Sequence, residues 1–269
     1  MPLRQDLHTH SSFDDGKSTL KEMAEGALRA GLTSVGFSLH SPLPYENEWA
    51  PTEETVPVFI EEAKRVQRDM EDRLRVYIGI EYDGASTLAL EGFDYVIGSL
   101  HHVNCGGVLR PVDESAAVNR EIVAFFGSPD RAAEAYFAQY DALADNREVD
   151  IIGHFDLLTK FNEQDPLFDP ASPAYLAAAR RAMKKLVDAG KIFEINTGAI
   201  SRGYRTTPYP AGNLLQMLRE LGGKVTLNSD SHHEDTLAFN FNDTAEIVKQ
   251  YGFAEIWRFD GEKFVPLPL

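Results

Sequence analysis

Short apolar runs alternating with longer stretches of helical period set the tightest limit on how this 269-residue chain can fold. The runs fall at 2–9, 33–40 (TSVGFSLH), 75–83 (RVYIGIEYD), 94–102 (DYVIGSLHH), 149–156 (VDIIGHFD), 191–198 (KIFEINTG) and 224–233 (KVTLNSDSHH). Between them, Thr19 and Glu22 form a capping-box pattern ahead of Leu20, Met23, Ala27 and Ala30, and Gly31 ends the element. Phe59, Ala63, Val66 and Met70 share a second helix face. Ala178, Ala182 and Leu186 share a third, stopped by Gly190, and a helix over 211–221 ends at Gly222. Strand followed by helix requires a parallel sheet, because only a crossover returns the chain to the same edge. Seven such units within one domain's length favour a closed barrel, although a doubly wound open sheet satisfies the same rhythm. No internal repeat, low-complexity tract or Pro/Ser-rich linker divides the chain, so a single domain is expected.

All eight histidines sit at or just beyond the carboxyl end of an expected strand: His8, His10, His40, His101, His102, His154, His232 and His233. In a β/α barrel those ends converge on one face. Glu81 and Asp230 hold equivalent places in GIEYD and NSDSH, and Asp14 and Asp15 follow closely on DLHTH. If residues 2–9 are a strand, His8 and His10 project from the same side about 7 Å apart, close enough to share an ion. A single histidine at a strand end is usually an ordinary hydrogen-bonded residue. Five strand ends carrying histidine, with two carrying acids, would need as many separate structural explanations. Imidazole with carboxylate is the donor set of Zn, Mn and Fe sites, so a multinuclear centre is expected.

Composition narrows the class of partner. The formal net charge is −16, from 42 acidic and 26 basic residues, and such a surface repels nucleic acid. Hydrophobic residues make up 43% of the chain, and no apolar run approaches the roughly 20 residues of a membrane span. The single cysteine, Cys105 beside a Gly-Gly loop, excludes an intramolecular disulfide, and with no signal-peptide pattern a cytoplasmic location is expected.

The ordered motifs DLHTH, FSLH, GIEYD, DYVIGSLH, DIIGHFD and NSDSH resemble those of the polymerase and histidinol phosphatase (PHP) family, from about residue 6 to residue 232. That resemblance implies a distorted (β/α)7 TIM-like barrel with a trinuclear centre of divalent transition metals. Carried over by position, His8, His10, Glu81 and Asp230 would hold the first ion, with Glu81 bridging to a second held by His101 and His154. Asp15, His40 and His232 would hold the third; Asp15 is preferred to Asp14 because a glycine follows it. Leu39-His40 stands where many members have Asp-His, so a carboxylate orienting His40 is expected to be missing. His102 and His233 receive no ligand role and are left as general acid, substrate contact or plain surface.

Length, HSPLPYENE and EINTGAISRG are most similar to the histidinol-phosphate phosphatases within the family. The implied substrate is a small phosphate ester, L-histidinol phosphate, attacked at phosphorus by a water made acidic by two ions. Arg202 is placed to fork two hydrogen bonds to the phosphate, and Lys160 to add a second positive group. Asp156, Glu163 or an acid within 45–54 would meet the substrate's amine and imidazole. Two rival readings are a family phosphoesterase acting on nucleotides or nucleic-acid ends, and a non-catalytic module stabilised by its metals. Oligomeric state and the role of the last 35 or so residues stay unread.

Overall fold

The computed structural model describes residues 4–45 and 47–269. The chain opens with β1 (Gln5–Asp6), α1 (Leu20–Arg29), β2 (Ser34–His40), α2 (Thr55–Met70), β3 (Arg75–Asp83) and β4 (Tyr95–Ser99). An antiparallel hairpin, β5 (His102–Cys105) and β6 (Val108–Pro111), then leads into α3 (Ala116–Phe126), α4 (Pro129–Ala138) and α5 (Tyr140–Asp145). The second half runs through β7 (Ile151–Ile152), α6 (Pro173–Asp188), β8 (Ile192–Asn196), α7 (Gly198–Ser201), α8 (Gly212–Glu220), β9 (Lys224–Asn228) and α9 (Phe241–Gln250). It closes on a second hairpin, β10 (Glu255–Phe259) and β11 (Phe264–Pro268).

Seven strands form one all-parallel sheet in the order β1-β2-β3-β4-β7-β8-β9. Its two edges meet beyond β1 and β9. Thr9 bridges Ser231 in parallel, His10 N–H donates to Ser231 O at 2.8 Å, and Ser231 N–H donates to His8 O at 3.2 Å. The expected distorted (β/α)7 barrel is therefore the fold, and the open doubly wound alternative is excluded. The capping box is present: the Thr19 hydroxyl accepts from Glu22 N–H, and Glu22 reaches back to the Thr19 backbone.

The regular strands are shorter than the apolar runs. The 94–102 run splits because Gly106 and Gly107, at φ 68° and 95°, close a two-residue turn between Cys105 and Val108. That turn needs both residues in the left-handed region, and it pulls His102 out of the barrel into the hairpin. Only Ile151–Ile152 of 149–156 pairs in the sheet, and the regular strand of 224–233 ends at Asn228, with the single Ser231 bridge to Thr9 beyond Asp230, which turns left-handed at φ 51°. Residues 2 and 3 of the first expected strand lie outside the described residues.

The last residues seal the amino end of the barrel. Gln5 and Phe259 exchange side-chain-to-backbone hydrogen bonds of 2.9 and 2.8 Å, and Phe259 packs with Leu7, Tyr77, Tyr95, Ile97 and Ile151. The carboxyl ends are left as the open face. Among the described residues no helix is long and apolar enough to cross a membrane.

Candidate metal centre

Eight of the nine expected ligands are brought together by the ends of six barrel strands, and the ninth, Asp15, by the turn that follows β1. Alternation along a strand turns residues i and i+2 to the same side, which aims His8 and His10 inward after β1, and Glu81 with Asp83 inward at the end of β3. His40 ends β2, His101 follows β4, His154 lies two residues past β7, and Asp230 and His232 follow β9. His8, His10, Glu81 and Asp230 are all buried.

Glu81 lies at the middle. Its Oε2 is 3.1 Å from His8 Nε2, 3.4 Å from His10 Nε2 and 3.0 Å from His40 Nδ1. Its Oε1 is 2.9 Å from His154 Nε2 and 3.4 Å from His101 Nε2. Asp230 Oδ1 stands 3.7 Å from His8 Nε2 and 3.5 Å from His10 Nε2. Asp15 Oδ1 is 3.2 Å from His232 Nε2 and 3.6 Å from His40 Nε2.

These spacings fit metal ions. Donor atoms about 2.0–2.1 Å from a tetrahedral ion lie roughly 3.3 Å from one another, the middle of the observed range. His8 Nε2 and His10 Nε2 are buried without a hydrogen-bond partner, which costs free energy unless something else satisfies them. Among the described residues four groups have donor atoms mutually within 4.8 Å: His8, His10 and Asp230; His40, Glu81 and His101; His10, Asp15, His40 and His232; and, on the surface away from the centre, His233, Glu234 and Asp235. The first contains three of the four residues expected for the first ion, without Glu81, and the third contains the set expected for the third ion with His10 added. In the second, His40 stands where His154 was expected.

A ring of carboxylates behind the histidines escaped sequence reasoning. His8 Nδ1 donates to Glu194 Oε1 at 2.7 Å, His10 Nδ1 to Asp14 Oδ2 at 2.9 Å, and His101 Nδ1 to Asp83 Oδ2 at 2.9 Å. A carboxylate on Nδ1 leaves the Nε2 lone pair facing the centre, the tautomer a ligand needs. At Leu39-His40, Asp14 Oδ2 accepts the His40 main-chain N–H at 3.0 Å and so holds the backbone, while the His40 ring faces Glu81 and Asp15, both expected ligands. Asp14 thus acts beside Asp15, which faces His40 and His232.

The electrostatics favour cations. Burial opposes charge on His8, His10 and His101, yet the acids around them hold all three well above the ordinary imidazole range: chiefly Glu194, Glu81 and Asp230 for His8, Asp14 for His10, and Glu81 with Asp83 for His101. Glu81 and Asp230 are held far below the usual carboxylate range despite burial, Glu81 by the surrounding histidines and Asp230 by Arg202 and His8. A field that draws protons to buried imidazoles draws divalent ions equally.

Above the centre opens a cleft of about 620 Å³, whose walls include Arg202, Lys160, His102, Tyr45, Trp49 and Tyr204. Arg202 reaches the metal face as expected, but its fork closes on Asp230. Lys160 Nζ donates to Asp113 O at 2.8 Å and lies 4.9 Å over the Tyr204 ring. His102 lines the cleft, with Nε2 hydrogen-bonded to Tyr45 Oη and its ring stacked near Trp49. His233 is partly exposed outside the cleft, its Nδ1 accepting from Asp235 N–H, which makes it a surface residue.

Two of the acids expected at the mouth are elsewhere. Asp156 is fully buried and is held by Thr159, Ala211 N–H and Arg205, because its strand end turns into the core. Glu163 caps Thr206 N–H away from the cleft. Within 45–54, Glu48 lines the cleft, while Glu46 lies outside the described residues. Asp113 and Glu114, delivered by the unforeseen hairpin, line it too.

The PHP domain family model matches residues 6–198, which contain seven of the nine expected ligands. A probable histidinol-phosphatase of Schizosaccharomyces pombe is 27% identical over 95% of this chain and 89% of its own length. Another, of Deinococcus radiodurans, is 29% identical over 92% of this chain and 93% of its own. The histidinol phosphate phosphatase of Lactococcus lactis, crystallised with Zn, L-histidinol and phosphate, superposes with a TM-score of 0.75 at 22% identity, covering 97% of this chain and 98% of that one.

Proposed function

The chain belongs to the PHP domain family, and on that premise we propose that it is a metal-dependent phosphomonoesterase hydrolysing L-histidinol phosphate to L-histidinol and phosphate. The observation that carries the reading is the division of the Glu81 carboxylate between two sets of histidines at the floor of a cleft edged by Arg202 and Lys160. Relatives across nearly the whole chain bear the same activity in their names, and the neighbouring crystal structure holds the two products of this reaction.

We assign two to three divalent transition ions, drawn from Zn, Mn and Fe, to these donors. His8, His10, Glu81 and Asp230 would hold one; Glu81, His101 and His154 a second; Asp15, His40 and His232 a third. Divalent ions held there would supply positive charge opposite the phosphoryl oxygens and lower the pKa of water. Every other part falls to the chain's own side chains. Glu194, Asp14 and Asp83 keep three imidazoles in the ligating tautomer. Arg202 uses two N–H bonds on Asp230 and keeps others for the phosphate, Lys160 adds a second cation, and His232 Nδ1 donates to Asp230 O at 3.0 Å, which leaves its Nε2 free to ligate. In the same cleft the His102–Tyr45 pair shares a proton between Nε2 and Oη, and such a pair could supply the proton a departing alcohol oxygen needs.

The mouth suits a cationic alcohol. Glu48 and Glu114 line it without a hydrogen-bond or ion-pair partner among the described residues, whereas Asp113 is paired with Lys160. These acids and the −16 net charge repel a polynucleotide. Phosphate release by metal-loaded protein from L-histidinol phosphate, nucleoside monophosphates and single-stranded DNA is the test. Preference for a nucleotide or for DNA would replace this reading with the nucleic-acid one, and no turnover of any ester would leave a non-catalytic module.

A further inference from the structure

Asp230 is in an uncommon conformation for a metal-facing residue. At φ 51° it occupies the left-handed region, which aspartate enters more readily than most residues but still at a cost, so a contact that grips both its main chain and its side chain stabilises the loop. Arg202 provides one from the loop after β8. Its Nη1 donates to Asp230 O at 2.7 Å and its Nη2 to Asp230 Oδ2 at 2.9 Å, gripping main chain and side chain together. Nη1 also lies 3.1 Å from His232 Nδ1. With Oδ2 held, Oδ1 is the oxygen left to face His8 and His10.

The grip depends on a missing side chain. A Cβ on Gly198 would stand 2.8 Å from both Arg202 Nη2 and Asp230 Oδ2, closer than real Cβ contacts come. Gly198 has ordinary helical geometry in α7, so a turn does not explain the glycine; the approach of the guanidinium to the carboxylate does.

We propose that Arg202 is a positioning residue for metal retention: by bracing Asp230 it sets the affinity of the ion shared with His8 and His10, in addition to any contact with phosphate. The inference rests on the metal centre assigned above.

Its sign separates it from plain charge. Arg202 is a cation beside a cation site, so on Coulomb's law alone Arg202→Ala should tighten metal binding. A brace predicts the reverse. Removing groups that orient metal ligands typically costs 10- to 100-fold in affinity. The experiment is competitive titration of Zn²⁺ against a chromogenic chelator on wild type, Arg202→Ala, Arg202→Lys and Gly198→Ala, with circular dichroism confirming the fold. We expect one ion to weaken about 10- to 100-fold in Arg202→Ala and in Gly198→Ala, which keeps the charge but breaks the contact. Arg202→Lys should fall between, and millimolar guanidinium should restore loading to Arg202→Ala but not to Gly198→Ala. Unchanged or tighter binding in Arg202→Ala, with only kcat/KM reduced, overturns the brace and leaves a phosphate contact. Unchanged binding in Gly198→Ala overturns it equally. If wild type binds no Zn²⁺, the metal-centre reading itself falls and takes this inference with it.

Discussion

Replacing Glu194 by glutamine removes one charge and almost no volume from the base of the metal centre, and the geometry states what must follow. Glu194 is fully buried, and both oxygens accept twice: Oε1 from His8 Nδ1 at 2.7 Å and Asn228 Nδ2 at 2.9 Å, Oε2 from His154 N–H at 3.0 Å and Asn196 Nδ2 at 2.8 Å. A glutamine has one oxygen and one NH2, so it can serve only one of these pairs. If the NH2 turns to Asn196 and the His154 backbone, two buried donors lose their acceptor at about 1–3 kcal/mol each, together about 2–6 kcal/mol. That is a large part of the roughly 5–15 kcal/mol that holds a typical domain folded. If it turns to His8, the imidazole must accept at Nδ1 and carry its proton on Nε2, where an ion would have to displace it. Metal affinity then falls about 10- to 100-fold. Urea unfolding with chelator present measures the first outcome, and metal competition at neutral pH the second. A Glu194→Gln protein with wild-type midpoint and wild-type metal affinity would falsify the bracing role of this carboxylate.

Purified protein should carry about two to three equivalents of transition metal by elemental analysis, because nine convergent donors exceed what one ion can use. Full activity from chelator-treated protein holding less than about one equivalent is the result that sinks the multinuclear centre. Glu81→Gln should lower metal content and turnover together, since its two oxygens face different histidine sets, while Asp15→Asn should affect chiefly the ion near His40 and His232. Glu81→Gln with full loading and full rate would remove the bridge. Glu48→Gln and Glu114→Gln should each raise KM for L-histidinol phosphate about 2- to 5-fold, the scale of an exposed ion pair, and leave KM for a neutral aryl phosphate unchanged. An equal rise for both esters would assign these acids to the shape of the cleft, and a fall for both would assign them to general repulsion of phosphate.

The barrel was legible because its signal is local and repeated: apolar runs separated by helical period, with caps at Thr19 and glycines at the helix ends. Strand lengths were less legible, because pairing depends on neighbours that a single run does not reveal. Ile151–Ile152 is a two-residue strand inside an eight-residue apolar stretch, since the chain beyond Gly153 bends into the core toward Asp156. The hairpin at 102–111 did have a readable sign in Gly106-Gly107, which favours a two-residue turn over a loose loop. Missing it hid Asp113 and Glu114, two of the acids that shape the mouth.

The candidate ligands were legible and their supports were not, for a physical reason. A histidine at a strand end stands out by type and place. Asp83 and Glu194 are hidden in GIEYD and FEIN, where each looks like one more polar residue at a loop. Yet β3 and β8 are buried along nearly their whole lengths, and an acid in a buried strand must find a proton donor or a cation. Strand alternation names the donor. Glu194 and Asn196 point inward from β8 as Glu81 and Asp83 do from β3, so the inward acids at adjoining levels meet the imidazoles of His8 and His101. One strand face therefore carries both a donor facing the candidate metal centre and the group that holds another strand's donor in place. The same logic extends to Arg202, the one cation pinned directly to a metal-facing carboxylate among the described residues. Its pairing with Asp230 could be read only after the fold had brought the loop after β8 against the loop after β9, past a glycine that leaves room for it.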